Sequence, residues 1–351
     1  MSFQPPMTIL QAIRNIDGNL YLLPSIQREF TWWEDQIRWL FDSLMQNYPI
    51  NSLLLWRVEG DTKSKFKFYE ILREYVEFHR THNREFPTAG CPDFYGILDG
   101  QQRLSSLYIG LKGSFAWRKP YSRWGMLNDD NFPPRKLFLK LTELYEDDDE
   151  GQRYIFKFLT NSEYKRQKDE WFLVGDILDV DNTNKLLALI KKETKLASDL
   201  ATEIISRLFE VIHVDKPINC YIEGSQDIDK ALSIFIRINK NGTPLNFSDL
   251  VMSFVVSHWK GDARKAINGL CDQIFTNYGF RIDKDFILKT YLYLFEKDIS
   301  FKVNNFGVKS SKQFEDNWDA LRKSICVCFE LLQKRWSYFL GQVCGEVKLQ
   351  L

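Results

Sequence analysis

The stretch Tyr95-Gly96-Ile97-Leu98-Asp99-Gly100-Gln101-Gln102-Arg103-Leu104-Ser105-Ser106-Leu107 constrains the fold more than any other. An apolar run reaches Asp-Gly, and Leu104, Leu107, Tyr108 and Leu111 then recur at helical spacing, so a strand turns into a helix almost at once. A turn that short leaves the first N–H groups of the helix without acceptors, at the positive end of its dipole. Such an end seats anions. Gly100 allows close backbone approach, Arg103 offers a planar fork to phosphate oxygens, and Gln101 and Gln102 both donate and accept. The plain alternative is an Asp-capped helix whose arginine pairs with a neighbouring carboxylate, and these residues alone leave both readings open.

Two further clusters have a related character. In Pro24-Ser25-Ile26-Gln27-Arg28-Glu29-Phe30-Thr31-Trp32-Trp33 a strand stops at a proline, and Gln27 and Arg28 precede aromatics and a new helix. That arrangement reads either as a hydrophobic staple with Arg28 in a surface ion pair, or as a second Gln-Arg pair beside the ligand of Arg103. The repetition at two strand-to-helix junctions favours the second. The third cluster, Phe235 to Leu250, is a helix end, an Asn241-Gly242 turn and a capped new helix. It reads as an αα-corner from which Arg237, Asn239 and Lys240 reach a ligand held by the first domain.

The rest of the chain gives a mixed α/β pattern followed by a helical one. Thr8 caps a short helix, Leu20 to Leu23 is extended, and the spacing of Ile37, Leu40, Phe41 and Leu44 predicts a helix over 34–46. Strands are expected over 52–58, 66–70, 94–98, 137–141 and 218–222, with a charged helical insertion between the second and third. Segments 182–192 and 196–211 read as helices, and beyond 227 helical periodicity dominates, with 229–238, 248–259, 263–278, 284–296 and 313–339 as candidates. The expected division is a nucleotide-binding domain over 1–225 and a helical domain over 226–351.

Charge narrows the partners. The 47 basic and 47 acidic residues cancel, so no overall positive field drives DNA binding, and any nucleic-acid contact comes from a local patch. Trp117-Arg118-Lys119-Pro120-Tyr121-Ser122-Arg123-Trp124 is the candidate, with Arg118, Lys119 and Arg123 tracking phosphates while Trp117 and Trp124 stack on bases. The alternative is a loop whose tryptophans pack back on the core. The six cysteines include no C-x-x-C pair, and Cys326-Val-Cys328 has no nearby histidine pair, so neither a disulfide scaffold nor a metal site is expected. The start has no basic-then-apolar leader and no apolar run is long enough for a membrane span, which points to a reducing cytoplasm.

Pro24/Gln27-Arg28/Phe30/Trp32, Asp99 to Leu107 and Phe235 to Leu250, in this order, resemble the N-terminal domain family of GmrSD-type modification-dependent restriction enzymes. The resemblance implies a core similar to ParB and sulfiredoxin, in which the strand-to-helix turn holds nucleotide phosphates. It further implies binding, and in some members hydrolysis, of nucleoside triphosphates. Carried over residue by residue, Asp99, Gly100, Gln101, Gln102 and Arg103 form the phosphate site, with Gln27, Arg28, Asn239 and Lys240 beside it. Catalysis would fall to Asp99, Gln102 and Arg103, with Mg²⁺ arriving on the nucleotide.

Many relatives also carry an HNH-type nuclease domain, which needs a histidine base and metal ligands. Here the histidines are His79, His82, His213 and His258, so this sequence is not expected to cut DNA by that chemistry. A partner subunit supplies it, a further part of a longer chain does, or the protein senses without cutting. The leading expectation is thus a nucleotide-binding, NTP-hydrolysing module of a restriction or phage-defence system acting with modified DNA, and nothing excludes an oligomer. A DNA-binding ParB-like module without turnover is the alternative, and a docking scaffold built on the helical half is the third.

Overall fold

The computed structural model describes residues 2–25, 27, 29–65, 67–77, 83–121, 131–146, 151–167, 170–193, 198–227, 230–231, 234, 237, 259, 262–295 and 308–348. The chain divides into two compact units, Met1–Asn239 and Lys240–Leu351.

The first unit is mixed α+β. Its strands are β1 (Ser2–Met7), β2 (Tyr21–Pro24), β3 (Leu53–Val58), β4 (Phe68–Tyr69), β5 (Glu74–Val76), β6 (Glu85–Phe86), β7 (Phe94–Asp99), β8 (Ser114–Ala116), β9 (Pro134–Lys140), β10 (Phe156–Leu159), β11 (Trp171–Leu173) and β12 (Ile218–Glu223). Its helices are α1 (Ile9–Asp17), α2 (Glu34–Met45), α3 (Thr62–Lys65), α4 (Gln101–Leu111), α5 (Asn161–Arg166), α6 (Thr183–Glu193) and α7 (Asp199–Phe209). One sheet has the order β1-β12-β3-β7-β2-β4-β6, and a second runs β10-β9-β8-β5 with β11 also on β9. In the first sheet β2 runs parallel to β7 and β12 parallel to β3, while β3 and β7 are antiparallel. The apolar run of β3 is buried at five of its six residues, as a central strand requires.

Local chemistry explains the helices nearest the site. Thr8 caps α1 by accepting from Gln11 N–H, and the Gln11 side chain accepts from Thr8 N–H in return. α2 buries Ile37, Leu40, Phe41, Leu44 and Met45 on one stripe. α4 leaves the middle strand β7 and is buried on nearly every side, with Arg103 alone in the helix half-buried. Gly110 lets it approach α2, since a Cβ there would stand 2.5 Å from the Phe41 ring.

Three features depart from the sequence reading. β1, which contains Pro5 and Pro6, lies at the sheet edge, where missing N–H donors are tolerated, and its register shifts between Gln4 and Met7. The charged insertion read as helical is extended in its described part, as β5 and β6. The second sheet was not foreseen, apart from the strand over 137–141.

The second unit is helical in its described part. Its helices are α8 (Ala263–Tyr278), α9 (Lys284–Phe295) and α10 (Val308–Lys348), packed around Ile267, Leu270, Ile287, Tyr291, Phe314 and Leu321. The helices expected over 229–238 and 248–259 lie largely outside the described residues. Among the described residues, no helix is long and apolar enough to cross a membrane.

Candidate functional site

The strand-to-helix turn forms as its residues predict. β7 ends at Asp99, Gly100 adopts the left-handed conformation (φ 95°), and α4 begins at Gln101 with no side-chain cap on its first N–H groups. Leu104 N–H is the first to bond back, to Gly100 O at 3.0 Å. The N–H groups of Gln101, Gln102 and Arg103 therefore lack intrahelical acceptors. The need for glycine is internal: a Cβ at Gly100 would run into Leu53 Cδ2. The close approach belongs to the packing of β3.

The side chains of the turn divide into braces and one unused group. Arg103 Nη1 donates to Ile50 O (2.5 Å), and Nη2 donates to Ser52 O (3.0 Å) and Asp99 Oδ2 (3.1 Å). Its side chain is 14% exposed, and burial, opposed by Asp99, draws its pKa below the ordinary arginine value. Arg103 thus ties the chain entering β3 to the first turn of α4. Gln102 Oε1 accepts from Thr31 N–H (2.9 Å) and Trp32 N–H (3.3 Å), while its Nε2 donates to Glu29 O (3.0 Å). Buried Gln27 donates from Nε2 to Ile97 O (2.7 Å) and Leu98 O (2.9 Å) at the end of β7. Gln27, Asp99, Gly100, Gln102 and Arg103 are accordingly gathered at one corner, as expected, but the amides and the guanidinium stitch backbone segments together. Gln101 differs. It is 4% exposed, and among the described residues neither its Oε1 nor its Nε2 has a hydrogen-bond partner.

Arg28, Asn239 and Lys240 lie outside the described residues, as do Arg123 and Trp124. In the described part of the aromatic-basic loop Trp117 packs inward, whereas Lys119, Pro120 and Tyr121 are exposed. The Arg135 guanidinium lies over the Trp117 ring at 3.6 Å, and Phe115 and Trp33 stand 5.9 and 6.5 Å from Trp117. Arg118 N–H donates to Glu77 Oε2 and Lys119 N–H to Asn131 O. Arg135, 6% exposed, donates from Nη1 to Trp117 O and Pro133 O, and burial lowers its pKa. The sequence reading missed Arg135 and Tyr75, the latter stacked on Phe115 at 4.3 Å. In β9, Arg135 is buried between exposed Pro134 and Lys136, and nothing in the sequence marks which of the two adjacent basic residues turns inward.

Clefts of about 400 and 360 Å³ open at the opposite end of α4, both touching Lys112 and Gly113. The larger sets Arg14, Lys112 and Lys136 against Asp17, Asp176 and Asp179 at the negative end of the helix dipole. That balance favours no charged ligand.

A mixed sheet whose middle strand passes through a left-handed glycine into a buried helix defines an α+β domain with its distinctive chemistry at that junction. The chain belongs to the family described as GmrSD restriction endonuclease, N-terminal domain, which matches residues 8–256. It is also similar to the uncharacterized protein MJ0686 of Methanocaldococcus jannaschii, 24% identical over 265 residues, which are 70% of this chain and 40% of that protein. The chain thus spans well under half of that relative.

Proposed function

We propose that this chain is the nucleotide-binding module of a restriction or phage-defence system, with a nucleoside triphosphate seated at the start of α4. The observation that carries the reading is the uncapped first turn: left-handed Gly100, no capping side chain, and the N–H groups of Gln101, Gln102 and Arg103 at the positive end of an eleven-residue helix. Asp99, its side chain 35% exposed, is the carboxylate of that turn. Among the described residues no group of three His, Cys, Asp or Glu could hold a metal ion. Asp99 would be the residue to hold Mg²⁺ arriving with the nucleotide, and the ion would supply charge neutralisation at the phosphates.

Where hydrolysis occurs, Asp99 is the group that orients water. Gln102 and Arg103 act through it and through the backbone they hold, because their polar atoms already make the bonds described above. Arg28 and Asn239, carried over from the resemblance, are the further candidate ligand contacts. Calorimetric titration with each nucleoside triphosphate and Mg²⁺, followed by phosphate-release assays, tests the reading. No heat of binding up to about 1 mM ligand would sink it.

A second reading is compatible with the first. Trp33, 37% exposed, stands beside Trp117, Phe115 and Tyr75, and this surface would contact modified DNA by stacking while Arg118 and Lys119 meet phosphates. Cutting would come from a separate nuclease subunit or a further part of a longer chain. Gel shifts at low salt with plain and modified duplexes test it, and equal failure of both to bind removes it.

A further inference from the structure

Among the described residues, four buried polar atoms without a hydrogen-bond partner lie on α4. Both amide atoms of Gln101, the Ser105 hydroxyl and the Ser106 hydroxyl have none, and Ser105 and Ser106 are fully buried. Their neighbours Gln102, Arg103 and Gln27, by contrast, are bonded within the same corner. Interiors of proteins satisfy nearly all such groups, and an orphan amide calls for bound water or a ligand as its partner.

The position of Gln101 restricts what that partner is. It is the first residue of α4, and side chains on a helix lean toward its N-terminus, which here is the uncapped end. Ser105, four residues on, lies on the same face. An amide offers a donor and an acceptor side by side. Phosphate oxygens accept only, and a metal ion would leave the Nε2 hydrogens unmatched. A nucleobase edge carries a donor and an acceptor in register, as glutamine pairing with adenine illustrates.

We infer that Gln101, supported by Ser105, reads the base of the bound nucleotide and so makes the site selective for nucleoside polyphosphates over inorganic ones. This rests on the seat proposed above at the start of α4. Neither amide atom meets solvent, so a base that pairs with them displaces neighbouring side chains as it enters, and the pairing is made out of water, where one matched edge discriminates strongly.

The test is calorimetric titration of the full chain and of Gln101→Met with Mg²⁺ and ATP, GTP, CTP, UTP or inorganic tripolyphosphate. The wild type is expected to bind at least one nucleotide about tenfold more tightly than tripolyphosphate. Gln101→Met, which keeps the backbone N–H, is expected to remove that advantage, bringing nucleotide affinity down to that of tripolyphosphate. A variant that keeps the advantage, or a wild type that lacks it while binding tripolyphosphate, overturns the inference and leaves the phosphate seat standing. Binding of neither ligand class to the wild type overturns both. The melting temperature supplies a second readout: Gln101→Met, matched in volume and without orphan atoms, is expected to melt no lower than wild type. A clear fall would show that the amide has a protein partner and would also overturn the inference.

Discussion

Replacing Arg103 by methionine perturbs the corner where the ligand reading and the fold compete for the same group. Its guanidinium donates to the carbonyls of Ile50 and Ser52 and to Asp99, with the side chain 14% exposed. Methionine fills much of the stem but donates nothing, so two backbone acceptors lose charged donors. Each such bond contributes about 1.5–3 kcal/mol. The Asp99 pair, whose carboxylate is 35% exposed, is discounted to roughly 0.5 kcal/mol for solvent screening. The sum is about 3.5–6.5 kcal/mol, a large share of the roughly 5–15 kcal/mol that holds an ordinary domain. For a unit of this size the melting temperature falls by roughly 7–26 °C. Urea unfolding followed by tryptophan fluorescence, without added nucleotide, measures the effect. A loss below about 1 kcal/mol would refute the brace assignment, because the three bonds would then be contributing almost nothing. Arg103→Lys is expected to recover only part of the loss, since one ammonium cannot reproduce the planar fork.

Other consequences follow from the same corner and its surroundings. Gly100→Ala should destabilise strongly, since both φ 95° and the Leu53 side chain oppose a Cβ, and pairing it with Leu53→Ala should relieve the steric part in a double-mutant cycle of unfolding free energies. Gln102→Met should lose about 2–3 kcal/mol, because the backbone N–H of Thr31 and of Trp32 and the Glu29 carbonyl all lose their partner, and hydrogen exchange at Thr31 and Trp32 should speed up selectively. Stability should hold level from about pH 7 to about pH 9 and then fall. Burial raises the Cys220 thiol to about 11, and burial with the hydrogen bond to Asp17 raises Tyr108 to about 12. Both groups hold their protons more tightly when folded than unfolded, so their contribution is complete below the unfolded pKa and is lost as pH rises through the folded one. Tyr108→Phe should shift the upper part of that fall, and an unchanged alkaline unfolding curve would remove Tyr108 from the account.

Legibility in the sequence followed locality. The Thr8–Gln11 capping box, the α2 stripe and the Asp99-Gly100 junction each sit within a few residues, and each formed where the pattern placed it. β5 and β8 are three-residue strands joined in parallel across a wide separation, and nothing in either stretch announces the partner. The charge-rich insertion mimicked a solvated helix, whereas its described strands pair with β4 and β8. At the site, chemistry was legible and allegiance was not. Arg103 and Gln102 have the side chains of a phosphate site, yet their partners are carbonyls and N–H groups of residues 29–32 and 50–52, set by tertiary approach alone. The reason for Gly100 was likewise hidden, because Leu53 occupies the space that the motif appeared to reserve for a ligand.

The central claim is that the first turn of α4 receives polyphosphate. Backbone ¹⁵N–¹H spectra of the labelled chain titrated with Mg²⁺ and nucleoside triphosphate address it directly. The amides of Gln101, Gln102 and Arg103 should move first and furthest, in proportion to occupancy. Saturable binding that leaves those three resonances in place while shifting others would contradict it.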